Sequence, residues 1–253
     1  LEFRRVLFRS EFEQFRLELR NQSAVGHQKT LMRPLRVRER ELPDGSTGWS
    51  VDGSPTDAVS LAFLGFFEHG FDLVASGINY GANLGDDITY SGTVSGALEG
   101  ALLGPPAIAV SLQRTRDAYN FGPSADAAAI VARAVLKHGL PPRTFININA
   151  PAGTPKGLRV TTQAKRNHVT KIDARTDPRG NAYYWIEEGQ YDWHPHDRSD
   201  YQAVQDGFVS LTPLHPDLTA HQALGVGQRE RRGASGGVHR QRLAGRPGAE
   251  RRA

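Results

Sequence analysis

The sequence predicts an α/β fold up to about Pro151, followed by a β-rich extension. Two observations carry this. Between Phe71 and Asn149, short apolar runs alternate with helical periodicity, the pattern of βαβ units. Beyond Pro151, helical spacing gives way to runs rich in β-branched and aromatic residues, set between turn residues.

Taken in order, Gly53-Ser54-Pro55-Thr56-Asp57 opens a helix, with Ser54 as cap, Pro55 in the first turn and Asp57 as capping-box acid. That helix is expected to run through Leu64. Phe71–Ser76 is an apolar run ended by Gly77, which suits a buried strand. In Thr93–Leu103 the apolar set Val94, Ala97, Leu98, Ala101 and Leu102 follows the spacing of one helix face, and Gly104-Pro105-Pro106 stops it. Ala107–Val110 is the next strand, completing a βαβ unit with a right-handed crossover. Ser124 is expected to cap a second helix reaching Lys137, ended by Gly139, and Thr144–Asn149 is a strand. Gly157–Thr162 and Ala182–Ile186 read as strands with a turn at Asp177–Gly180 between them, and Gly207–Thr212 is the last strand. No repeat at a solenoid period is present.

Both ends read differently from the body. Leu1–Ser10 (LEFRRVLFRS) is the translation of a common sequencing-adapter oligonucleotide and is expected to be non-native. A basic targeting peptide is the alternative, but the segment lacks an apolar core and a small-residue cleavage site. Gly225–Ala253 contains eight Arg, two Glu and no Lys or aromatic residue. Such a segment buries too little to offset its ordering entropy and is expected to be disordered. Its Arg/Gly/Ala vocabulary fits a shifted reading frame, or else a genuine RNA-binding tail. The tail's surplus of six positive charges and the first segment's surplus of two turn the whole-chain +4 into −4 for Glu11–Leu224. The basic pI is therefore an end effect and does not argue for nucleic-acid binding.

Glu11–Leu224 is long enough for one domain with its own core, α/β to about 151 and β-rich over 152–224. The chain has no Cys, which excludes a disulfide framework, a thiolate nucleophile and a zinc–thiolate site. The longest apolar stretch, Leu61–Phe67, is far shorter than the roughly 20 residues a membrane span needs. These features fit a cytoplasmic protein, with a periplasmic address as the alternative, that neither crosses a membrane nor binds nucleic acid.

The chemically informative stretch is Ser76-Gly77-Ile78-Asn79-Tyr80-Gly81-Ala82-Asn83-Leu84-Gly85-Asp86-Asp87, followed by Tyr90-Ser91-Gly92-Thr93-Val94. Asn79 falls just past the carboxyl end of a strand, where open α/β sheets bind ligands. Ser91-Gly92-Thr93 opens a helix whose N–H groups and positive end suit a phosphate. The loop is neither a dinucleotide fingerprint nor a Walker loop, because the helix start and a Gly-Lys-Ser/Thr ending are both out of place. A Gly-rich loop here can also be no more than a turn, with Asn83 tolerating a left-handed backbone.

The run SGINYGANLGDDITYSGTVSGALEGALLGPPAIAVSL, from Ser76 to Leu112, resembles the signature of the survival protein E (SurE) family of 5′/3′-nucleotidases. RNQSAVGHQKTL (20–31), GSPTDAV (53–59), TDPRGNAYYWI (176–186) and GFVSLTPLHPDLTAH (207–221) extend the resemblance over about Arg20–Leu224. It implies a three-layer Rossmann-like α/β fold and hydrolysis of nucleoside monophosphates, often of polyphosphate, with a divalent cation such as Mg²⁺ or Mn²⁺. It also implies dimers or tetramers. By position Asn79 and Ser23 resemble metal ligands, oxygen donors of the kind hard cations prefer. Asn21, Asn83, Ser91, Gly92 and Thr93 are expected to line the phosphate site. The family's paired Asp, in an Asn-Asp-Asp-Gly motif after the first strand, has no counterpart here, so the first βα unit is expected to be missing. Asp86-Asp87 lies inside the later motif, and by the resemblance it is expected to be a structural acid pair or one that supports the site from behind its ligands.

Three further features compete for a role. Asp192-Trp193-His194-Pro195-His196-Asp197 suggests zinc but lacks a regular frame and a third ligand, so a solvated loop is expected. Tyr183, Tyr184 and Trp185 could stack bases, but in a strand such residues more often serve core or interface. Without the Asp pair, a nucleotide-binding protein without catalysis is the alternative to a phosphatase.

Overall fold

A computed structural model describes residues 3–8, 14–19, 26–42, 45–68, 70–115, 120–167, 170–188, 192–193 and 196–224. The strands are β1 (Phe3–Phe8), β2 (Gln14–Leu19), β3 (Val37–Glu41), β4 (Thr47–Val51), β5 (Leu73–Tyr80), β6 (Ala107–Leu112), β7 (Phe145–Ala150), β8 (Leu158–Val160), β9 (Arg166–Asn167), β10 (Thr170–Thr176), β11 (Ala182–Glu188), β12 (Asp192–Trp193) and β13 (Val209–Leu214). The helices are α1 (Pro55–Leu61), α2 (Gly92–Leu103), α3 (Gly122–His138) and α4 (Asp200–Gln205). Nine strands form one sheet in the order β3-β4-β2-β1-β5-β6-β7-β13-β8. β5, β6 and β7 are parallel, and β13 returns antiparallel to β7.

Alternation along the central strands builds three layers. On one face Val74, Ala107, Ala109 and Phe145 pack with Ala58 and Val59 of α1 and with Val94, Ala97 and Ala101 of α2. On the other, Leu73, Ile108, Val110, Ile146 and Ile148 pack with Ala127, Val131 and Val135 of α3. Leu73, Ile108 and Ile148 have no exposed surface, and each fully buried side chain of this kind stabilises the fold by about 1.5–3 kcal/mol. α2 approaches β5 closely because Gly100 faces Val74: a Cβ there would stand 2.7 Å from Val74 Cγ2.

Several boundaries differ from the expectations. α1 has the full capping box at Ser54 and Asp57, yet gives way after Leu61 to a wider turn over Ala62–Phe66 that contains Gly65 at φ +143°. β5 continues through Tyr80, because beyond a register shift between Ser76 and Asn79 it pairs again with β6. α3 begins at Gly122 with Pro123 in its first turn, so Ser124 lies inside the helix and its hydroxyl is buried with no partner among the described residues. Leu158–Val160 pairs with β13, and β11 pairs with β10 around a turn where Asp177 Oδ1 accepts from the Arg179 and Asn181 N–H groups. The segment expected to stand outside the fold contributes β1, antiparallel to both β2 and β5. Whatever its origin, an added strand satisfies the backbone groups along the β5 edge.

The chain divides into two compact units, Leu1–Pro216 and Asp217–Ala253. The described part of the second contains a helical turn at His221–Ala223. There the Thr219 side chain and the Thr219 N–H (2.9 Å) donate to Asp217, as does His221 Nε2 at 3.1 Å, and together they lower its pKa to about 2.

Candidate active site

The site is assembled at the carboxyl end of β5, on the sheet face covered by α2. Gly77 lies at φ +140°, and a Cβ there would stand 2.4 Å from the Val110 carbonyl oxygen. Only glycine allows β5 to shift register beside β6 at this point, and the shift sets Asn79 opposite Ser111. Asn79 is half-buried, and its Nδ2 donates to the Gly81 carbonyl at 2.7 Å. That bond fixes the amide plane and leaves Oδ1 with no hydrogen bond from a described residue. Gly81 in turn donates to the Leu112 carbonyl at 2.8 Å.

The loop that follows is tied to the sheet by side chains. The Asn83 N–H donates to Asn149 Oδ1 at 2.7 Å, and Asn149 Nδ2 donates back to the Asn83 carbonyl at 3.1 Å. Asn149 thus pairs with a peptide group as a neighbouring strand would. Asn147 Nδ2 reaches the same carbonyl at 2.9 Å, and Asn83 Nδ2 donates to Ser111 Oγ at 2.7 Å. Asn83 is thereby held as a structural tie, with its amide donor already engaged.

Gly85 is gripped next. Its N–H donates to Asp200 Oδ2 at 3.0 Å, while Asp200 Oδ1 accepts from the Ala164 and Tyr201 N–H groups at 2.9 and 2.7 Å. Burial pushes the Asp200 carboxyl up despite these bonds. Trp193, stacked on Tyr201 with ring centroids 4.1 Å apart, closes over Gly85. Asp86 and Asp87 sit in the helical turn Gly85–Thr89, where Asp86 Oδ1 accepts from Gln163 Nε2 at 3.2 Å.

Ser91, Gly92 and Thr93 start α2 and are all buried. Ser91 is the N-cap, its Oγ accepting from the Val94 N–H at 3.2 Å. Among the described residues nothing bonds to the Thr93 N–H or hydroxyl. A short strap, residues 26–30, runs alongside: the Gly26 N–H donates to the Tyr90 carbonyl at 3.2 Å, next to the helix start. Further along, Thr30 N and Oγ1 both donate to Asp57, each at 2.7 Å, and Ser54 Oγ donates to the Gln28 carbonyl at 2.6 Å. Burial would raise Asp57, but the bonds from Thr30 and Ser54 outweigh it and hold the carboxyl below its usual range.

Asn79, Asn83 and the Ser91–Thr93 helix start thus follow one another along one strand-loop-helix segment, with Asn79 in register opposite Ser111 and Asn83 bonded to its hydroxyl. Asn21 and Ser23 lie outside the described residues. Of the residues of the zinc alternative, His194 lies outside the described residues, and His196 Nδ1 accepts from the Arg198 N–H in a turn. Among the described residues no three His, Cys, Asp or Glu converge on a common point. Tyr183, Tyr184 and Trp185 are not core, being 40, 65 and 57% exposed on the β10–β11 hairpin. Arg114, Asn147 and Asn149 are additional site neighbours that no motif indicated. Arg114 Nε donates to the Tyr80 carbonyl at 3.1 Å and stands beside Gly81. The signal for the asparagines is their alternation with Ile146 and Ile148 in an otherwise apolar strand.

The family model described as survival protein SurE matches residues 19–170 of this chain. The chain belongs to the SurE family. It is 47% identical over 210 residues to the 5′-nucleotidase SurE of Pelobacter propionicus, covering 82% of this chain and 83% of that protein. It is 48% identical over 201 residues to the 5′-nucleotidase SurE of Syntrophotalea carbinolica, covering 79% of each. The crystal structure of the SurE protein from Aquifex aeolicus superposes with a TM-score of 0.71 at 39% identity, covering 85% of this chain and 87% of that one. The SurE fold is therefore the framework of the site. No helix among the described residues is long and apolar enough to cross a membrane.

Proposed function

We propose that this SurE protein is a metal-dependent phosphomonoesterase that hydrolyses nucleoside 5′- or 3′-monophosphates to nucleoside and phosphate. The observation that carries the reading is Asn79. Its amide nitrogen is held by the Gly81 carbonyl, its oxygen is unclaimed by any described residue, and it stands at the carboxyl end of β5 in the loop system that starts α2. The relatives named 5′-nucleotidase supply the substrate class.

The donors fit a hard cation in kind. Asn79 Oδ1 is an oxygen ligand, the chain has no thiolate, and Ser23 would add a hydroxyl oxygen. Mg²⁺ or Mn²⁺ held by these residues would neutralise phosphoryl charge and activate water. The phosphate would lie at the α2 start, accepting from the Thr93 N–H and hydroxyl with the helix dipole favouring its charge. Asn21 and Gly92 would line the same pocket, Ser91 keeps the helix start open through its cap, and Asn83 holds the loop. The β10–β11 hairpin would serve self-association into a dimer or tetramer, and the absence of cysteine fits the cytoplasm.

Ser23 and Asn79 are neutral, and the family's Asn-Asp-Asp-Gly motif does not occur in this sequence. Two neutral ligands hold a divalent ion weakly, so turnover by this chain is expected to be marginal. The test assays phosphate release from AMP and p-nitrophenyl phosphate with Mn²⁺, using this chain and a version given an Asn-Asp-Asp-Gly-bearing βα unit. Restored turnover in the second supports the reading. Equal turnover by both refutes the metal site, and nucleotide binding by both without turnover favours a non-catalytic nucleotide-binding protein.

A further inference from the structure

Arg114 lies just past the carboxyl end of β6, in the crevice where open α/β sheets bind ligands. Several other cations of the chain are answered by acids: Lys29 by Glu99, Arg33 and Arg36 by Asp52, Arg159 by Asp206 and Arg175 by Asp173. Arg114 meets no carboxylate among the described residues. Its charge is therefore available to a ligand.

The side chain is also held in place. The Gln113 N–H donates to the Ala150 carbonyl at 2.9 Å, and Gln113 Oε1 accepts from the Ala152 N–H at 3.2 Å, which ties the segment to the end of β7. On its other side the Tyr80 hydroxyl donates to the Thr115 carbonyl at 2.9 Å. Between these ties Arg114 Nε donates to the Tyr80 carbonyl at 3.1 Å, and its Cζ lies 5.8 Å from the Tyr80 ring centroid, within reach of a cation–π contact. An arginine anchored in this way gives up less freedom on binding than a loose one. Nη1 and Nη2, the open end of the fork, have no partner among the described residues.

The anchored fork stands beside Asn79. A Cβ on Gly81 would lie 3.4 Å from Arg114 Nε, 3.9 Å from Arg114 Cζ and 3.6 Å from Asn79 Nδ2. Gly81, at φ +137°, thus leaves the guanidinium and the Asn79 amide flanking one small space. The nitrogen of Asn79 is the atom on that side, so the cation does not claim the oxygen offered to the metal. We propose that Arg114 is a substrate-binding residue whose paired Nη groups take oxygens of the nucleotide's phosphate on the Gly81 side of Asn79. This rests on the nucleotidase reading proposed above. It adds a full positive charge to a site whose other phosphate donors, the Thr93 N–H and hydroxyl, are neutral. A planar guanidinium matches two phosphate oxygens at once, as the point charge of a lysine does not.

The test uses the whole chain with Arg114→Gln, Arg114→Lys and Thr93→Ala, and circular dichroism as the check on folding. Binding of AMP, inorganic phosphate and adenosine is measured by isothermal titration calorimetry with Mn²⁺ present, and Mn²⁺ affinity by electron paramagnetic resonance. Arg114→Gln is expected to weaken AMP and phosphate binding about tenfold, a loss of about 1.4 kcal/mol, with adenosine and Mn²⁺ affinity unchanged. Arg114→Lys should fall between the wild type and Arg114→Gln, since the charge remains and the paired donors are lost. AMP affinity lost in Thr93→Ala but kept in Arg114→Gln overturns the inference alone. An equal loss of AMP and adenosine affinity in Arg114→Gln also overturns it, because the side chain would then act on the nucleoside. A wild-type chain that binds neither AMP nor phosphate overturns the nucleotidase reading and the inference together. Should Arg114→Gln fail to fold, Arg114→Lys takes its place, and AMP and phosphate affinity unchanged in that variant overturns the inference.

Discussion

Gly77→Ala is the most exacting perturbation of the site, because the structure fixes its cost on two counts. The backbone at φ +140° is closed to an L side chain, and holding one in such a region costs about 1–3 kcal/mol. The added Cβ would also stand 2.4 Å from the Val110 carbonyl oxygen and 3.2 Å from Val110 Cβ. Relieving that contact means moving β5 away from β6, a distortion of about 1–3 kcal/mol. The total, roughly 2–6 kcal/mol, is a large part of the 5–15 kcal/mol typical of a domain. At about 2–4 °C per kcal/mol for a domain of this size, the melting temperature should fall by roughly 4–24 °C. Gly70→Ala is the control, since a Cβ there meets nothing within 4 Å. Differential scanning calorimetry of both variants decides the matter. A Gly77→Ala variant melting within a degree or two of the control would refute the claim that glycine is what sets the Asn79 register.

Other perturbations separate ligand, tie, surface and charge. Asn79→Ala should weaken Mn²⁺ binding while leaving melting nearly unchanged, whereas Asn83→Ala, which breaks the bond to Ser111, should cost about 1–3 kcal/mol of stability; equal effects of both on metal affinity would sink the ligand assignment. The hairpin exposes Ile172, Tyr184, Trp185 and Ile186 at 57–76%, so sedimentation should show a dimer or tetramer that Trp185→Lys dissociates; a wild-type monomer at micromolar concentration counts against it. For acid stability the signs differ between groups. Asp57 and Glu99 titrate below their usual values when folded, so their contribution is full above the ordinary carboxylate range and lost as pH falls through the folded values. Asp200 is raised and acts in reverse, favouring the fold in acid and losing that contribution as pH rises through its folded value. Stability should therefore drop below about pH 4, with Glu99→Gln removing part of the drop; a Glu99→Gln curve parallel to the wild type would show that Glu99 contributes nothing to it.

The features legible from sequence are those made by neighbouring residues. Ser54 and Asp57 cap α1 three positions apart, Ser91 caps α2, and Gly139 ends α3, because a cap needs only the next turn of backbone. The βαβ alternation was equally readable, since β6 is buried along its whole length and shows it as an apolar run. Ser124 misleads for the same local reason: it looks like a cap, but Gly122 and Pro123 start the helix earlier and its burial follows from α3 packing on the sheet.

Partner choice between distant segments is what only the tertiary structure decided. Leu158–Val160 could have paired with the hairpin that follows it, yet takes β13, while β11 takes β10. Backbone hydrogen bonding is generic, so sequence alone does not name the partner strand. The site neighbours missed by motif are of this kind. Asn149 pairs with the peptide of Asn83 across 66 positions, Asp200 holds Gly85 across 115, and Glu99 meets His27 across 72. Each is an ordinary polar residue along the chain and acquires its role from a group brought beside it by folding. There, shielded from water, a single hydrogen bond or charge gains the strength to hold a loop in place.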